Sequence, residues 1–214
     1  MFITVEGIEG AGKSTFVGLL EAELRKRGVP LVKTREPGGC ALGKQIRPLL
    51  LNTLQNISGR AELFLFLADR AQHVADTIRP ALEHGQWVLC DRYADSTIAY
   101  QGYGRGMEPD QLQMLNDYAT GGLWPEITFL LDLSVEEGLG RALTRNGRKG
   151  LSQSEGRFEA EAIAFHERIR CGFLERAERW PERFCVLDAT CSPDTLIGLA
   201  MKRLKKMNTF HVFS

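Results

Sequence analysis

The sequence contains no apolar run approaching the roughly 20 residues that a membrane-spanning helix requires, so no membrane partner is expected. It carries no net charge, because 27 Lys and Arg balance 27 Asp and Glu. A dominant basic patch is therefore missing, and no nucleic-acid partner is expected. Cysteine is sparse. The five residues Cys40, Cys90, Cys171, Cys185 and Cys191 are odd in number and form no CxxC pair. This spacing excludes a disulfide framework and grouped zinc ligands, and it reads as reduced thiols in a cytoplasmic protein. The first seven residues lack the basic start and long apolar stretch of a secretory signal. There is no internal repeat and no low-complexity segment. What remains is an ordinary globular composition, 43% apolar and 25% charged over 214 residues. That predicts one domain over residues 1–207, followed by a short tail at 208–214.

Five short apolar runs read as strands: Phe2–Glu6, Leu31–Arg35, Trp87–Asp91, Ile127–Leu133 and Phe184–Asp188. Their little polar alternation is the mark of strands covered on both faces. Between them lie helical patterns at about Lys13–Arg27, Ala41–Leu51, Arg60–Glu83, Pro109–Thr120, Val135–Arg145, Glu155–Arg179 and Pro193–Lys206. Strands alternating with helices predict an α/β fold: a three-layer, doubly wound sheet of five parallel strands. Ligands of such sheets sit beyond the carboxyl ends of the strands. The segment Asn146–Gly156 is rich in glycine and serine and carries Arg148 and Lys149. It reads either as a surface loop or as a short mobile lid, about residues 145–158, that closes on an anion.

The first strand runs straight into Gly7-Ile8-Glu9-Gly10-Ala11-Gly12-Lys13-Ser14, a full match to G-x-x-x-x-G-K-[ST]. Glycines let the backbone curl until its N–H groups converge on phosphate oxygens. The helix that follows places its positive end on the same anion. Lys13 is predicted to reach the β- and γ-phosphates, and Ser14 to offer its hydroxyl to Mg²⁺. Asp91, at the end of the third strand, is the acidic candidate for the magnesium shell. The guanine motif N-K-x-D and the switch motif D-x-x-G are both missing, so a GTPase is not expected.

A small-molecule kinase needs a second anion pocket facing the first. Arg35, Arg47, Arg70 and Arg92 supply candidates, because guanidinium forks match phosphate oxygens. Phe66 and Arg70 are four residues apart and share a helix face, where a ring and a guanidinium can hold the base and phosphate of one ligand. Taken singly, Phe66 also reads as a core aromatic and each arginine as a surface charge.

The P-loop together with Arg35-Glu36-Pro37-Gly38-Gly39, Asp91-Arg92-Tyr93 and Ser96-Thr97-Ile98-Ala99-Tyr100-Gln101-Gly102 resembles the bacterial thymidylate kinase family. The resemblance implies the reaction of ATP and dTMP to ADP and dTDP with Mg²⁺, in a homodimer. It implies an ATP site made of Gly7, Ile8, Glu9, Gly10, Ala11, Gly12, Lys13, Ser14 and Thr15, with Arg141 flanking adenine. It implies a dTMP site in which Phe66 stacks on thymine and Arg70 bonds to the base, with Gln101 near it. Arg47 and Arg92 grip the phosphate, beside Arg35, Pro37 and Ser96. Glu9 faces the 3′-hydroxyl, and Tyr100 crowds C2′. Lys13, Arg92, Glu9 and a lid arginine form the catalytic set. Some family members carry an arginine inside the P-loop where this chain has Gly10, so the resemblance moves that role to the lid: Arg157 first, then Arg148 or Arg145. The family's lid commonly ends Asp-Arg-Phe-Glu; here Gly156 stands in place of the aspartate. The apolar third helix, with Leu63, Phe64, Leu65 and Leu67, offers a dimer face or a core face. The residues by themselves leave open another nucleoside monophosphate kinase or a catalytically weak nucleotide-binding protein.

Overall fold

The computed structural model describes residues 1–54, 56–149, 157–158 and 161–207. Most of the expected lid and all of the tail at 208–214 lie outside the described residues. Five parallel strands form one sheet: β1 (Phe2–Glu6), β2 (Leu31–Arg35), β3 (Trp87–Asp91), β4 (Ile127–Asp132) and β5 (Phe184–Asp188), in the order β2-β3-β1-β4-β5. β1 is wholly buried, in keeping with its unbroken apolar run. Alternate residues of β1 enter different cores. Ile3 and Val5 join the larger cluster with Phe16, Leu20 and Phe129, whereas Phe2 joins Val88, Cys90, Val74 and Ile78. Helices therefore cover both faces of the sheet, giving the expected three layers.

Register brings the strand ends level. Asp91 pairs with Arg35 on one side and with Val5 on the other. The loops that leave β1, β2 and β3 thus open onto one crevice at the carboxyl edge, beside the point where strand order reverses.

Nine helices are present among the described residues: α1 (Lys13–Lys26), α2 (Ala41–Leu51), α3 (Gly59–His73), α4 (Arg79–Glu83), α5 (Ala94–Thr97), α6 (Pro109–Thr120), α7 (Val135–Lys149), α8 (Ile163–Arg179) and α9 (Pro193–Lys206). Ser58 caps α3 and Ser192 caps α9, their hydroxyls accepting from Ala61 N and Thr195 N. α1 differs. It starts from Gly12 in the left-handed region, with no side-chain cap, so its first N–H groups are left for an anion.

Four helix assignments depart from the sequence reading. The helix expected over Arg60–Glu83 is interrupted by a π-helical stretch, Val74–Ile78, between α3 and α4. The segment after β3, assigned no helix, is α5 continuing into a second π-helical stretch, Ile98–Gly104. α7 runs to Lys149, into the expected lid, because a glycine costs a helix only about 1 kcal/mol and Gly147 does not end it. In turn α8 begins at Ile163, after Ala162 in extended conformation.

α7 meets the P-loop backbone to backbone. A Cβ at Gly10, where φ is 74°, would stand 1.9 Å from the Gly138 carbonyl oxygen. A Cβ on Gly138 would stand 2.6 Å from the Glu9 carbonyl oxygen. No side chain fits at position 10, which accounts for the glycine there. Gly10→Ala is expected to lower the unfolding free energy by about 2 kcal/mol or more, from a backbone clash and a left-handed alanine. Urea denaturation reads this. Gly140→Ala, with open space around it on the same helix, is the control and should leave stability equal or up to about 1 kcal/mol higher.

Candidate active site

One cavity of about 600 Å³ lies at the carboxyl edge of the sheet. That volume is in the range of small-molecule sites. Its P-loop wall is Glu9, Gly10, Gly12, Lys13, Ser14 and Thr15, with Arg141 beyond. Its opposite wall is Arg35, Pro37, Arg47, Phe66, Arg70, Arg92, Ser96, Tyr100 and Gln101, and Asp91 lies between. The structure therefore brings together nearly all the residues singled out in the sequence. Gly7, Ile8 and Ala11 stand behind the loop surface, and Arg157 is not on the wall.

Lys13 is buried, its ammonium donating to the carbonyls of Gly7 at 2.9 Å and Ile8 at 2.7 Å. Burial pulls its pKa down to about 8, an effect strengthened by Arg92 and opposed by Glu9 and Asp91. Ser14 Oγ donates to Asp91 Oδ2 at 3.1 Å. This pairs a hydroxyl with a carboxylate at the mouth of the P-loop, two hard oxygen donors of the kind Mg²⁺ prefers alongside water and phosphate.

Arg92 has φ 71°, the only non-glycine residue in the left-handed region among those described. Two carboxylates hold it there. Glu6 Oε1 accepts from Tyr93 N at 2.8 Å, and Glu6 Oε2 accepts from Ser96 Oγ at 2.6 Å. Ser96 Oγ in turn accepts from Arg92 Nη1 at 3.1 Å, while Arg92 Nη2 donates to Glu9 Oε1 at 3.0 Å. Such strain persists only where neighbours over-determine it. Burial pushes the Glu6 carboxyl up to about 7, against the pull of Arg92. Burial would raise Glu9 as well, but His166, Arg92, Lys13 and Tyr100 outweigh it and hold Glu9 well below the usual carboxylate range. Tyr100 OH donates to Glu9 Oε1 at 2.5 Å. Glu9 Oε2 faces His166 Nδ1 at 3.4 Å without a well-formed hydrogen bond.

Arg70 reaches the wall but belongs mostly to the scaffold. It is 1% exposed, and four of its five N–H groups are committed: to Glu36 at 2.8 Å, Thr97 at 2.7 Å, Asn116 at 2.6 Å and the Tyr93 carbonyl at 3.1 Å. One N–H remains for a base. Glu36 also meets His73 Nδ1 at 2.9 Å, and a Cβ on Gly39 would stand 2.2 Å from His73 Nε2. Gly39 thus lets the Arg35–Gly39 turn lie directly on α3. Arg47 Nη1 donates to the Pro37 carbonyl at 3.0 Å.

Arg157 is docked away from the P-loop. Its guanidinium meets Glu62 at 2.7 Å and the Leu50 carbonyl at 3.1 Å. Arg145 and Arg148 belong to the lid segment whose side chains lie outside the description, and Gly156 is likewise outside it. The neighbouring Phe158 was legible only as part of the lid motif. It is 6% exposed and lines the cavity, 6.3 Å from the Phe66 ring and 5.4 Å edge-on from Tyr100. Glu6, Glu36, Glu62 and His166 were not foreseen. The one available signal was a carboxylate ending an apolar strand, as Glu6 does.

ATP affinity is expected to be flat up to about pH 7.5 and to fall above about pH 8, by at most about tenfold per unit, as Lys13 loses its proton. The sign follows from the ammonium being the form that pairs with phosphate. Titration calorimetry between pH 6.5 and 9.5 checks it, and an affinity that stays level to pH 9.5 contradicts it.

The comparisons agree with this geometry. The family model for thymidylate kinase matches residues 5–196. Thymidylate kinase of Nitratidesulfovibrio vulgaris (strain Miyazaki F) is 54% identical over 208 residues, covering 97% of each chain. Thymidylate kinase of Desulfovibrio desulfuricans is 57% identical over 198 residues, covering 92% of this chain and 91% of the relative. The crystal structure of thymidylate kinase from Ehrlichia chaffeensis superposes with a TM-score of 0.76 at 34% identity, covering 96% of this chain and 98% of that one. A P-loop facing an arginine-lined pocket, on a backbone and sequence shared across nearly the whole length, makes this chain a member of the thymidylate kinase family.

Proposed function

We propose that this chain transfers the γ-phosphoryl group of ATP to dTMP, giving ADP and dTDP. The observation that carries the reading is a cavity with two unlike walls. One wall is a P-loop with its helix N-terminus; the other is an arginine, tyrosine and phenylalanine pocket that suits a nucleoside monophosphate. A second nucleotide kinase reading, with another base, has no observation in its favour.

The acceptor phosphate oxygen is already anionic, so no protein base is needed; positioning and cationic groups do the work. Lys13 lies within the P-loop, where β- and γ-phosphates would sit. Arg92, held by Glu6 through Ser96, directs its guanidinium at the acceptor phosphate from the far wall, with Arg47 and Arg35 beside it. Phe66 and Phe158 offer ring faces for the base, and Gln101 and the last N–H of Arg70 offer polar contacts at its edge. Glu9, kept ionised, is placed for the 3′-hydroxyl, and Tyr100 closes the space near C2′. Ser14 and Asp91 would hold Mg²⁺, which would supply positive charge against the phosphates. Arg157 reaches the phosphates only after leaving Glu62, so its catalytic use requires the segment around it to move.

We also read the chain as a cytoplasmic homodimer. Two of the four apolar residues expected on the α3 face, Leu63 and Leu67, are buried within the subunit, while Phe64 is 61% exposed, and Leu42 and Leu49 of α2 are exposed as well. The dimer face is thus narrower than the sequence pattern suggests. No helix among the described residues is long and apolar enough to cross a membrane.

A coupled ADP-release assay against dTMP, dUMP, UMP, CMP, AMP and GMP tests the reading, and a clear dTMP preference is expected. Preference for another acceptor overturns the base assignment, and no turnover with any acceptor overturns the activity. Arg92→Ala should raise the dTMP KM and lower kcat/KM by about 10- to 100-fold, as loss of charge-assisted phosphate contacts does. A change confined to the ATP KM would reverse the division between the two walls. Arg157→Ala should chiefly lower kcat, and an unchanged kcat would remove Arg157 from the catalytic set.

A further inference from the structure

Glu62, on the first turn of α3, is fully buried and receives donors from three side chains. Gln101 Nε2 stands at 2.8 Å, Arg105 Nη2 at 3.2 Å and Arg157 Nη2 at 2.7 Å. Toward these nitrogens the Glu62 oxygens serve as acceptors. The Gln101 amide must therefore turn its NH₂ end toward Glu62. Gln101 is itself 1% exposed, and it lines the cavity from the π-helical stretch after α5. Its planar amide has two divergent ends. With Nε2 committed, the carbonyl Oε1 is the end left for a ligand.

We propose that Glu62 is a positioning residue for base choice: by fixing the Gln101 amide, it presents an acceptor to the pyrimidine N3 position. This rests on the reading of the cavity as a dTMP site. Thymine and uracil carry an N3–H that donates to such an acceptor. Cytosine carries a bare N3 lone pair, which faces the carbonyl oxygen with like polarity. A site built to pair with a donor rejects the analogue that lacks it far more strongly than a merely apolar wall does. Arg105 and Arg157 serve the same end, because their guanidinium groups engage the carboxylate from its other sides and hold it facing Gln101. Arg105 is held in turn by Glu161 at 2.6 Å. Base discrimination is thereby tied to the segment that carries Arg157.

The test is Glu62→Gln, assayed with dTMP, dUMP and dCMP. A carboxamide at 62 can donate as well as accept, so Gln101 is free to turn its NH₂ end to the cavity. The ratio of kcat/KM for dTMP over dCMP should fall by at least about tenfold, while the ratio for dTMP over dUMP stays within about twofold. A merely structural role for Glu62 would lower all three substrates together, and that outcome overturns the proposal. So does an unchanged dTMP/dCMP ratio. Gln101→Leu separates the layers of the argument. If it collapses the dTMP/dCMP ratio while Glu62→Gln does not, the base contact stands and the role of Glu62 fails. If neither variant moves the ratio, the assignment of Gln101 to the base fails. A measurement on the unaltered protein does not depend on the variants folding. With ¹⁵N-labelled glutamine, the one Gln101 Nε2 proton held by Glu62 should be protected from solvent exchange before dTMP is added and remain equally protected after it. If neither of the two Nε2 protons is protected until dTMP binds, the amide is not held by Glu62, contrary to the proposal.

Discussion

The position of the Arg92 guanidinium depends on a buried carboxylate one strand away. Arg92 has a positive φ, which a non-glycine residue adopts only at a cost of about 1–3 kcal/mol. Glu6 offsets that cost by accepting from the backbone that follows Arg92 and from the serine that accepts from its side chain. The strained residue leaves β3 at the level where β1 passes into the P-loop, so its side chain crosses to Glu9 rather than continuing along the strand. The two walls of the cavity are joined through this one residue. The P-loop acid, the acceptor-side arginine and Tyr100 form a single hydrogen-bonded group.

The same device recurs, with different consequences. Arg70 is pinned by Glu36, Arg176 and Arg183 share Asp95, and Arg105 and Arg157 share Glu62. Removing one partner from such a pair strands a buried charge and is strongly destabilising, although the intact pair adds little net stability. Arginines so bound are scaffold first and ligand contacts second. Arg176 and Arg183 are scaffold alone, since neither lines the cavity. Arg70 lies between, with one N–H left for a ligand. Arg92 and Arg47 bond to groups that line the cavity: Ser96, Tyr100 and Glu9 for Arg92, and the Pro37 carbonyl for Arg47. How much of each guanidinium is left open to the cavity thus depends on the carboxylates and carbonyls buried beside it.

Much of the fold was legible because its signals are local. An apolar run of five residues has few options other than a buried strand, and Gly7–Ser14 between a strand and a helix has one well-understood use. The spacing of Phe66 and Arg70 put both on one helix face, and both reach the cavity wall. The π-helical stretches at Val74–Ile78 and Ile98–Gly104 were not legible, because a widened turn leaves the same apolar periodicity over so few residues. Nor was the packing constraint on Gly10 legible. Its neighbour Gly138 lies 128 positions along the chain, and the close approach exists only once α7 has packed.

The sequence by itself determined the chemistry on offer: a phosphate cradle, a hydroxyl and carboxylate for a hard cation, and arginines and aromatics for a second nucleotide. These depend on residue type and short spacing, which the chain carries wherever it folds. The tertiary structure decided which of those groups face the cavity. Arg157 stands on Glu62 instead of the P-loop, Arg70 is mostly committed to Glu36 and its neighbours, Phe158 has joined the wall, and the Gln101 amide has one of its two orientations imposed on it. Each of these outcomes turns on a buried partner between 34 and 107 residues away in the chain. Burial makes such pairings obligatory, because a charge or amide removed from water must find its complement in the protein.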